Sequence, residues 1–472
     1  MNFTFSPIDF FRNIKFWLVF FFVIRLYGIT NPPTEISHNW RQCQTSMVNR
    51  NFNNNCNILY PELDTEGGKK IAMEFPIFNY LIFIFNKIFG YTHWYGRLIN
   101  LCITTFGMYF FFRVLKVIHT SKTAFYGTLI LTVSVFFSFG RKIMPHTFSP
   151  SLVFAGVFFA YQFIRSDKKI KNYFFIVLSL TFLVFGTLSM ITSLIFFVFL
   201  LIPLCESSVS LSKKIVLSIT IILSVAISML WYGWWNFELV RNGASKIIFP
   251  STLADGLNYT LQHLPGVLEK FYFSAFYGYI TFIVFVLGLI SVLIKKEKKI
   301  LLVFVTGFLL FVIFILKSSS FFYYHNYYII PFAPLMALVA GFGISQIKNE
   351  FGKSVLMILA ISESILNQQH GFKNKEDMEY KTNLEVLMNK YCGPGEKIFI
   401  NTGPNPQQLY FANRKGWLLD KPEIISKFVL DSISSRSYSI VVLDKKIHTK
   451  FKDNEFISIF NDENYIFLKP RD

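Results

Sequence analysis

Carboxylates are scarce in this chain, and so are cysteines. Its 472 residues hold 28 Asp and Glu against 46 Lys and Arg, with 8 His and 5 Cys. Five cysteines in so long a chain cannot form a disulfide framework. Cys43 and Cys56 fall in one expected external loop, where a disulfide is chemically permitted and two unpaired thiols are an equal reading. The sequence lacks a P-loop, a Rossmann glycine fingerprint, zinc-type His/Cys spacing and a Gly-x-Ser-x-Gly elbow, which leaves nucleotide use unsupported. No small-x-small cleavage site precedes Asn31, so the first apolar segment, which follows Arg12 and Lys15, reads as an uncleaved span. Long runs such as 16–24 and 280–290 do not alternate apolar with polar residues, which excludes a transmembrane β-barrel.

What the chain has in excess is hydrocarbon: 53% hydrophobic residues, including 58 Phe. Apolar stretches of about 15 to 22 residues, close to the length that crosses the hydrocarbon core as a helix, recur along most of the chain. Such segments must satisfy their backbone hydrogen bonds internally, so they are helices. The expected spans, about eleven, are 11–29, 94–112, 124–139, 148–164, 173–188, 191–204, 215–235, 275–294, 300–316, 326–346 and 354–366.

The net charge of +18 invites comparison with nucleic-acid binders. The basic residues, however, cluster between hydrophobic segments, which is the pattern of topology signals. With the N-terminus inside, the cytoplasmic segments hold Arg12 and Lys15, then Arg113, Lys116 and Lys122. They also hold Arg165 with Lys168, Lys169 and Lys171, Lys213 with Lys214, the Lys295 to Lys299 group, and Lys348 with Lys353. Two short external loops hold Arg141, Lys142 and Lys317, and the positive-inside rule selects this orientation. The long segments 30–93, 236–270 and the tail after Gln368 are then external.

From Gly371 the composition turns polar. Residues 397–400, 439–443 and 465–468 look like short buried strands, while 375–391 and 422–434 have helical spacing. The expected fold class is therefore mainly α. It comprises a polytopic transmembrane bundle (1–370, including the 30–93 loop with its juxtamembrane helices) and a small extracytoplasmic α/β domain (371–472). In the first loop, 38–52 can form a helix with Trp40, Met47, Val48 and Phe52 on one side and Arg41, Gln42, Thr45 and Asn49 on the other. The apolar stretch 76–89 is too short to span and would lie along the surface.

The densest polar cluster is His38-Asn39-Trp40-Arg41-Gln42-Cys43-Gln44-Thr45. A guanidinium offers a fixed fork of donors matched to phosphate oxygens, so this face can hold an anionic headgroup. Equally, Arg and Trp anchor interfacial helices to lipid. Downstream lie Glu62, Asp64, Glu66 and Glu74. A carboxylate beside a phosphate site can act as general base toward an acceptor hydroxyl or amine. Glu74, at the start of the second juxtamembrane stretch, is rigidly placed, whereas Asp64 sits beside Gly67-Gly68 in a loop free to move. The competing reading for Glu74 is a structural pair with Arg41 or Arg97. The loop acids also give a weak divalent-metal signal, and acids in such loops are more often solvated. On the same external side are Arg97, Arg141, Lys142, His146, His325, Tyr327 and Tyr328, which at these depths need a cavity or a partner.

Several of these residues carry a resemblance. His38-x-Trp40-Arg41-Gln42-x-x-Thr45, Asn51-Phe52, Glu74-Phe75-Pro76-Ile77 and Gly96-Arg97-Leu98 resemble a bacterial branch of the family 39 membrane glycosyltransferases. That family is similar to protein O-mannosyltransferases and to the aminoarabinose transferase of lipid A. Leu230-Trp231-Tyr232, His325-x-Tyr327-Tyr328-x-x-Pro331, Asn405-Pro406-x-x-Leu409-Tyr410 and Arg414-Lys415-Gly416-Trp417 extend the match over nearly the whole chain. The resemblance implies a GT-C fold, a catalytic cavity on the external face and a polyprenyl-phosphate sugar as donor. The acceptor would be a glycan, lipid or protein, and no cofactor is required. Two departures stand out: Gln44 occupies a place where this branch often shows Asp, and the sixth span lacks an expected Lys, Met190 or a neighbour standing there. The alternative from another class is a transporter that moves a lipid-linked sugar without cutting it, although the inverted repeats of many transporters are not evident.

Overall fold

A computed structural model describes residues 11–36, 38–246, 250–419, 438–447 and 456–471. The expected helix at 422–434 lies outside the described residues. The chain divides into two compact units. The first is Met1–Ile29 with Tyr95–Phe237 and Ile248–Phe372, and the second is Thr30–Trp94 with Glu238–Ile247 and Lys373–Asp472.

The first unit is helical. Tyr95–Ile118, Pro145–Arg165, Lys169–Ser189, Leu211–Arg241 and Lys298–Ser318 are long and apolar enough to cross a membrane. Leu264–Ser274 and Tyr279–Lys295, bent by 92° at their junction, make a sixth such span if counted together. The chain is an integral membrane protein. Other expected spans are present as shorter helices, including Ile14–Arg25, Ile191–Cys205 and Ala333–Gln346, and the expected 354–366 lies within the 19-residue helix Glu350–Gln368.

The expected span at 124–139 is interrupted for a visible reason. Ser121–Thr132 ends, and Ser134 accepts from the Phe136 amide to start a new helix at Val135. A break within an apolar core exposes backbone carbonyls that must be paired. Arg25 Nη2 donates to Thr132 O at 3.1 Å and to Gln368 Oε1 at 3.0 Å, while Gln368 Nε2 donates to Val133 O at 2.5 Å. The buried arginine thus closes the helix end. Close packing elsewhere rests on glycine: the backbone of Gly127 lies so near Gly341 that a Cβ there would sit 2.3 Å from the Gly127 nitrogen. Small residues permit this approach where lipid supplies no hydrophobic drive between helices.

The second unit gathers the first long loop with the tail, whereas the sequence reading placed 30–93 within the membrane domain. One core accounts for this grouping. Cys43, Met47, Val48 and Phe52 pack in a cluster with Phe83 and with Leu384, Met388, Leu409 and Tyr410. The expected juxtamembrane helices are Asn39–Asn51 and Ile77–Phe89. Strands β1 (Ile71–Ala72) and β2 (Ser245–Lys246) pair in parallel between the loop and the short middle segment. The tail forms β3 (Ile398–Ile400), β4 (Gly416–Leu418), β5 (Ile440–Asp444), β6 (Phe456–Asn461) and β7 (Tyr465–Pro470), in the order β4-β3-β5-β7-β6. β3 is parallel to β4 and β5, and β7 is antiparallel to β5 and β6. Residues 375–391 form a 3-10 turn, Glu376–Asn383, followed by the helix Leu384–Tyr391.

Both sides of Asn39–Asn51 are occupied rather than one. Met47, Val48 and Phe52 are buried as expected, but so are Gln42, Thr45 and Asn49, and Trp40 remains 42% exposed. The polar side packs on Ile77–Phe89, where Asn79 Nδ2 donates to Thr45 O at 2.9 Å and Asn86 Nδ2 donates to Asn49 Oδ1 at 3.1 Å. Cys43 is fully buried and Cys56 exposed, both as free thiols, so the permitted disulfide does not form.

Candidate active site

The expected residues fall into two groups, one in each unit. In the second unit, Glu74 follows β1 and precedes the Pro76 start of Ile77–Phe89, so strand pairing and helix start fix its backbone. Its Oε1 accepts from Arg41 Nη2 in an ion pair whose side chains are 12% (Arg41) and 5% (Glu74) exposed. Arg41 Nη1 is buried and makes no hydrogen bond among the described residues. A buried guanidinium donor left unpaired carries a desolvation penalty, which an anionic ligand would relieve. His38 begins the same helix with φ 59°, a left-handed conformation uncommon outside glycine and often found at functional sites.

Gln42 does not face the same partner. Its Nε2 donates to Glu35 Oε2 at 3.0 Å, and Glu35 is wholly buried. Glu35 also joins the tail by an antiparallel bridge to Asn374. This carboxylate was not singled out from the sequence, because Pro32-Pro33-Thr34-Glu35 reads as a turn; its spacing of three before His38 was the available signal. Thr45 Oγ1 donates to the Arg41 carbonyl at 3.0 Å, an i to i−4 helix bond.

Asp64 is not in a movable loop. It is 2% exposed, and Arg50 Nη2 donates to Oδ2 at 2.6 Å while Asn51 Nδ2 donates to Oδ1 at 2.9 Å. Arg50 also donates through Nη1 to the Tyr410 carbonyl at 3.0 Å and lies over the Tyr410 ring at 5.1 Å. Burial alone would lower the Arg50 pKa, but the Asp64 charge, the neighbouring Tyr91 and Tyr410 hydroxyls and the hydrogen bond to Asp64 together more than offset it and hold the guanidinium protonated. Burial likewise pushes the Tyr410 and Tyr91 hydroxyls above the ordinary phenol range. Those hydroxyls lie 2.8 Å apart, and His93 Nδ1 is 2.6 Å from the Tyr410 hydroxyl. Both oxygens of Asp64 are thus engaged by the helix that carries Arg50 and Asn51.

The weak metal signal has a simple counterpart. Glu62 is paired with Lys415 at 3.0 Å, Asp64 with Arg50, and Glu66 with Lys69 at 3.2 Å. Among the described residues, no three His, Cys, Asp or Glu side chains come together as a metal site.

In the first unit, Arg97 is wholly buried and Arg141 is 1% exposed. Both reach the segment after the first helix: Arg97 Nη1 donates to Ile29 O at 3.5 Å, and Arg141 Nη2 donates to Tyr27 O at 2.8 Å. Arg141 also donates to Gly371 O at 3.3 Å and stacks over Phe372 at 4.5 Å. Asn100, one turn beyond Arg97, donates to Lys142 O at 2.8 Å and Met144 O at 3.1 Å, which fixes the loop before His146. The His146 ring stands edge-on to Tyr327 with centroids 4.4 Å apart, and His325 stacks on Tyr327 at 5.2 Å and Tyr328 at 5.8 Å. Arg97 and Arg141 thus meet around 27–29, and the two histidines meet around Tyr327.

Residues 74–232 match the family model described as dolichyl-phosphate-mannose-protein mannosyltransferase. No curated protein matches by sequence. Among solved structures, ArnT from Cupriavidus metallidurans in the apo state aligns with TM-score 0.58 at 10% identity, over 96% of this chain and 98% of that one. The same protein bound to undecaprenyl phosphate aligns with TM-score 0.58 at 9% identity, over 96% and 97%. The Archaeoglobus fulgidus oligosaccharyltransferase in complex with zinc and sulfate aligns with TM-score 0.54 at 13% identity, over 91% of this chain and 68% of that one. At these identities the likeness is one of fold, and the fold is the GT-C arrangement expected from the sequence. The resemblance to this group of membrane glycosyltransferases is borne out.

Proposed function

From a chain that carries the GT-C fold and a mannosyltransferase-family segment, we infer a membrane glycosyltransferase that moves a sugar from a polyprenyl-phosphate donor to an extracytoplasmic acceptor. The acceptor is a glycan, lipid or protein. The one observation that carries this reading is Arg41, which is committed to Glu74 through Nη2 and holds Nη1 buried and unpaired. ArnT, of the same fold, has been captured with undecaprenyl phosphate, which supports a lipid-phosphate ligand.

In this reading the donor phosphate takes the vacant Nη1 and competes for Nη2. Arg41 then turns from Glu74 toward the phosphate, and Glu74 becomes free to accept a proton. The acceptor hydroxyl or amine attacks the anomeric carbon, and its proton passes to Glu74. The bond from that carbon to the phosphate oxygen breaks, and its electron pair leaves on the polyprenyl phosphate. Charge builds on the phosphate as this bond breaks, and a guanidinium of low exposure already turned onto the phosphate stabilises that charge. Direct displacement inverts the anomeric centre. His38, Trp40, Gln42 and Thr45 are proposed to bind substrate beside Arg41 on its helix, and Arg97, Arg141, His146, His325, Tyr327 and Tyr328 are proposed as the substrate-binding residues of the first unit. The protein would lie in a bacterial plasma membrane with its N-terminus inside and its tail outside.

Surface glycans compared by mass spectrometry in a strain lacking the protein test this function. Loss of one sugar, restored by the wild-type chain and not by Arg41→Ala, is the expected result. An unchanged glycan profile would overturn it.

A further inference from the structure

At the opposite end of the helices, the first unit holds a cavity of about 520 Å³ whose lining includes Arg12, Lys15, Arg113, Lys116, Arg165 and Tyr109. Three helices meet there. Ile14–Arg25 brings its N-terminal end, with Asn13 accepting from the Lys15 amide as cap. Tyr95–Ile118 and Pro145–Arg165 bring their C-terminal ends. A basic residue in the last turn of a helix ordinarily complements its dipole, which accounts for Lys116 and Arg165 taken singly. It does not account for five cations around one hollow.

Like charges gathered in this way repel unless an anion sits among them. Among the described residues, the lining contains no carboxylate. Arg113 is held toward the site by the surrounding rings: its Nη1 donates to the Tyr109 hydroxyl at 3.1 Å, and its guanidinium lies 4.9 Å from the Phe158 centroid. The Lys15 ammonium lies 5.9 Å from the centroid of the same tyrosine ring. Phe112 and Val117 add apolar wall to the cavity. The charge distribution assigns this end to the cytoplasmic face.

We propose that this cavity binds the phosphate headgroup of an anionic membrane phospholipid, with the glycerol and upper acyl carbons against Phe112 and Val117. Basic pockets between transmembrane helices on the cytoplasmic side are suited to such headgroups. The site shares no residue with the proposed chemistry at Arg41 and would hold the ends of three helices together through a shared counter-ion.

Native mass spectrometry of the purified full chain, titrated with phosphatidylglycerol and separately with phosphatidylcholine, tests this proposal. Selective retention of phosphatidylglycerol is expected. In Lys116→Gln/Arg165→Gln the affinity should fall on the order of 10-fold or more, given the contribution of each basic residue near an anionic lipid surface. Lys296→Gln/Lys298→Gln, which removes exposed cations of the same face outside the cavity, should bind as the wild type does. Arg12→Gln, in an exposed turn, supplies a second variant whose folding is independent of helix ends. Equal retention of phosphatidylcholine, or unaltered binding in both cavity variants, would overturn the proposal. Displacement of the lipid by millimolar inorganic phosphate would overturn the lipid as ligand and assign the site to soluble phosphate.

Discussion

Arg41 donates through Nη2 to Glu74 Oε1, and the Nη1 of the same guanidinium is buried without a hydrogen-bond partner among the described residues. Helix Asn39–Asn51 carries the arginine, and the junction of β1 with Ile77–Phe89 carries the acid. The pair therefore links the two juxtamembrane elements at a point where one donor remains to be satisfied.

Glu74→Gln separates a base from a structural partner. Gln keeps an oxygen that can accept from Arg41 but cannot take a proton. If Glu74 is the base, the turnover number should fall by about 10²- to 10⁴-fold with little change in donor KM. Activity within a fewfold of wild type would leave Glu74 with a structural role alone.

Asp64→Ala should act on stability rather than on catalysis. It leaves the Arg50 guanidinium buried beside an empty place, and removing one partner of a buried pair costs roughly 3–5 kcal/mol. Thermal unfolding in detergent should show a clear drop. An unchanged melting temperature with lost turnover would return Asp64 to the list of bases.

Gly341→Val should destabilise the membrane unit. Its Cβ would lie 2.3 Å from the nitrogen and 2.4 Å from the Cα of Gly127, and neither backbone atom can yield as a flexible side chain would. Overpacking of this kind costs typically about 1–3 kcal/mol. The measurement is again thermal unfolding, and a neutral result would contradict the close helix contact.

The two exposed thiols Cys56 and Cys205 report orientation without engineering. The positive-inside arrangement puts Cys56 outside and Cys205 inside. A membrane-impermeant maleimide should label Cys56 on intact spheroplasts and Cys205 only after permeabilisation. The reverse pattern would invert the assigned topology.

Much of the architecture could be read from periodicity. The helices at 39–51 and 77–89, and the strands β3, β5 and β7, follow from local apolar spacing, because each buries a face or run long enough to show it. β4 has only three residues, and the exposed and half-buried residues of β6 blur its alternation, so neither shows a period. Tertiary pairing was the other blind spot. Nothing in the spacing of Arg50, Asn51 and Asp64 says that the helix will capture the loop acid, and a turn-like Pro-Pro sequence hid the burial of Glu35. The break at Val133 is legible only once Arg25 and Gln368 are seen to satisfy the freed carbonyls.

The most direct test of the account is the fate of the donor. Purified protein reconstituted in lipid bilayers would be given a radiolabelled polyprenyl-phosphate sugar, with and without a membrane or glycan fraction from the deletion strain as acceptor. The account predicts that free polyprenyl phosphate and labelled acceptor appear together, only when acceptor is present, and not with Arg41→Ala. Passage of the intact lipid-linked sugar across the bilayer with no cleavage under any condition would contradict it and identify a transporter.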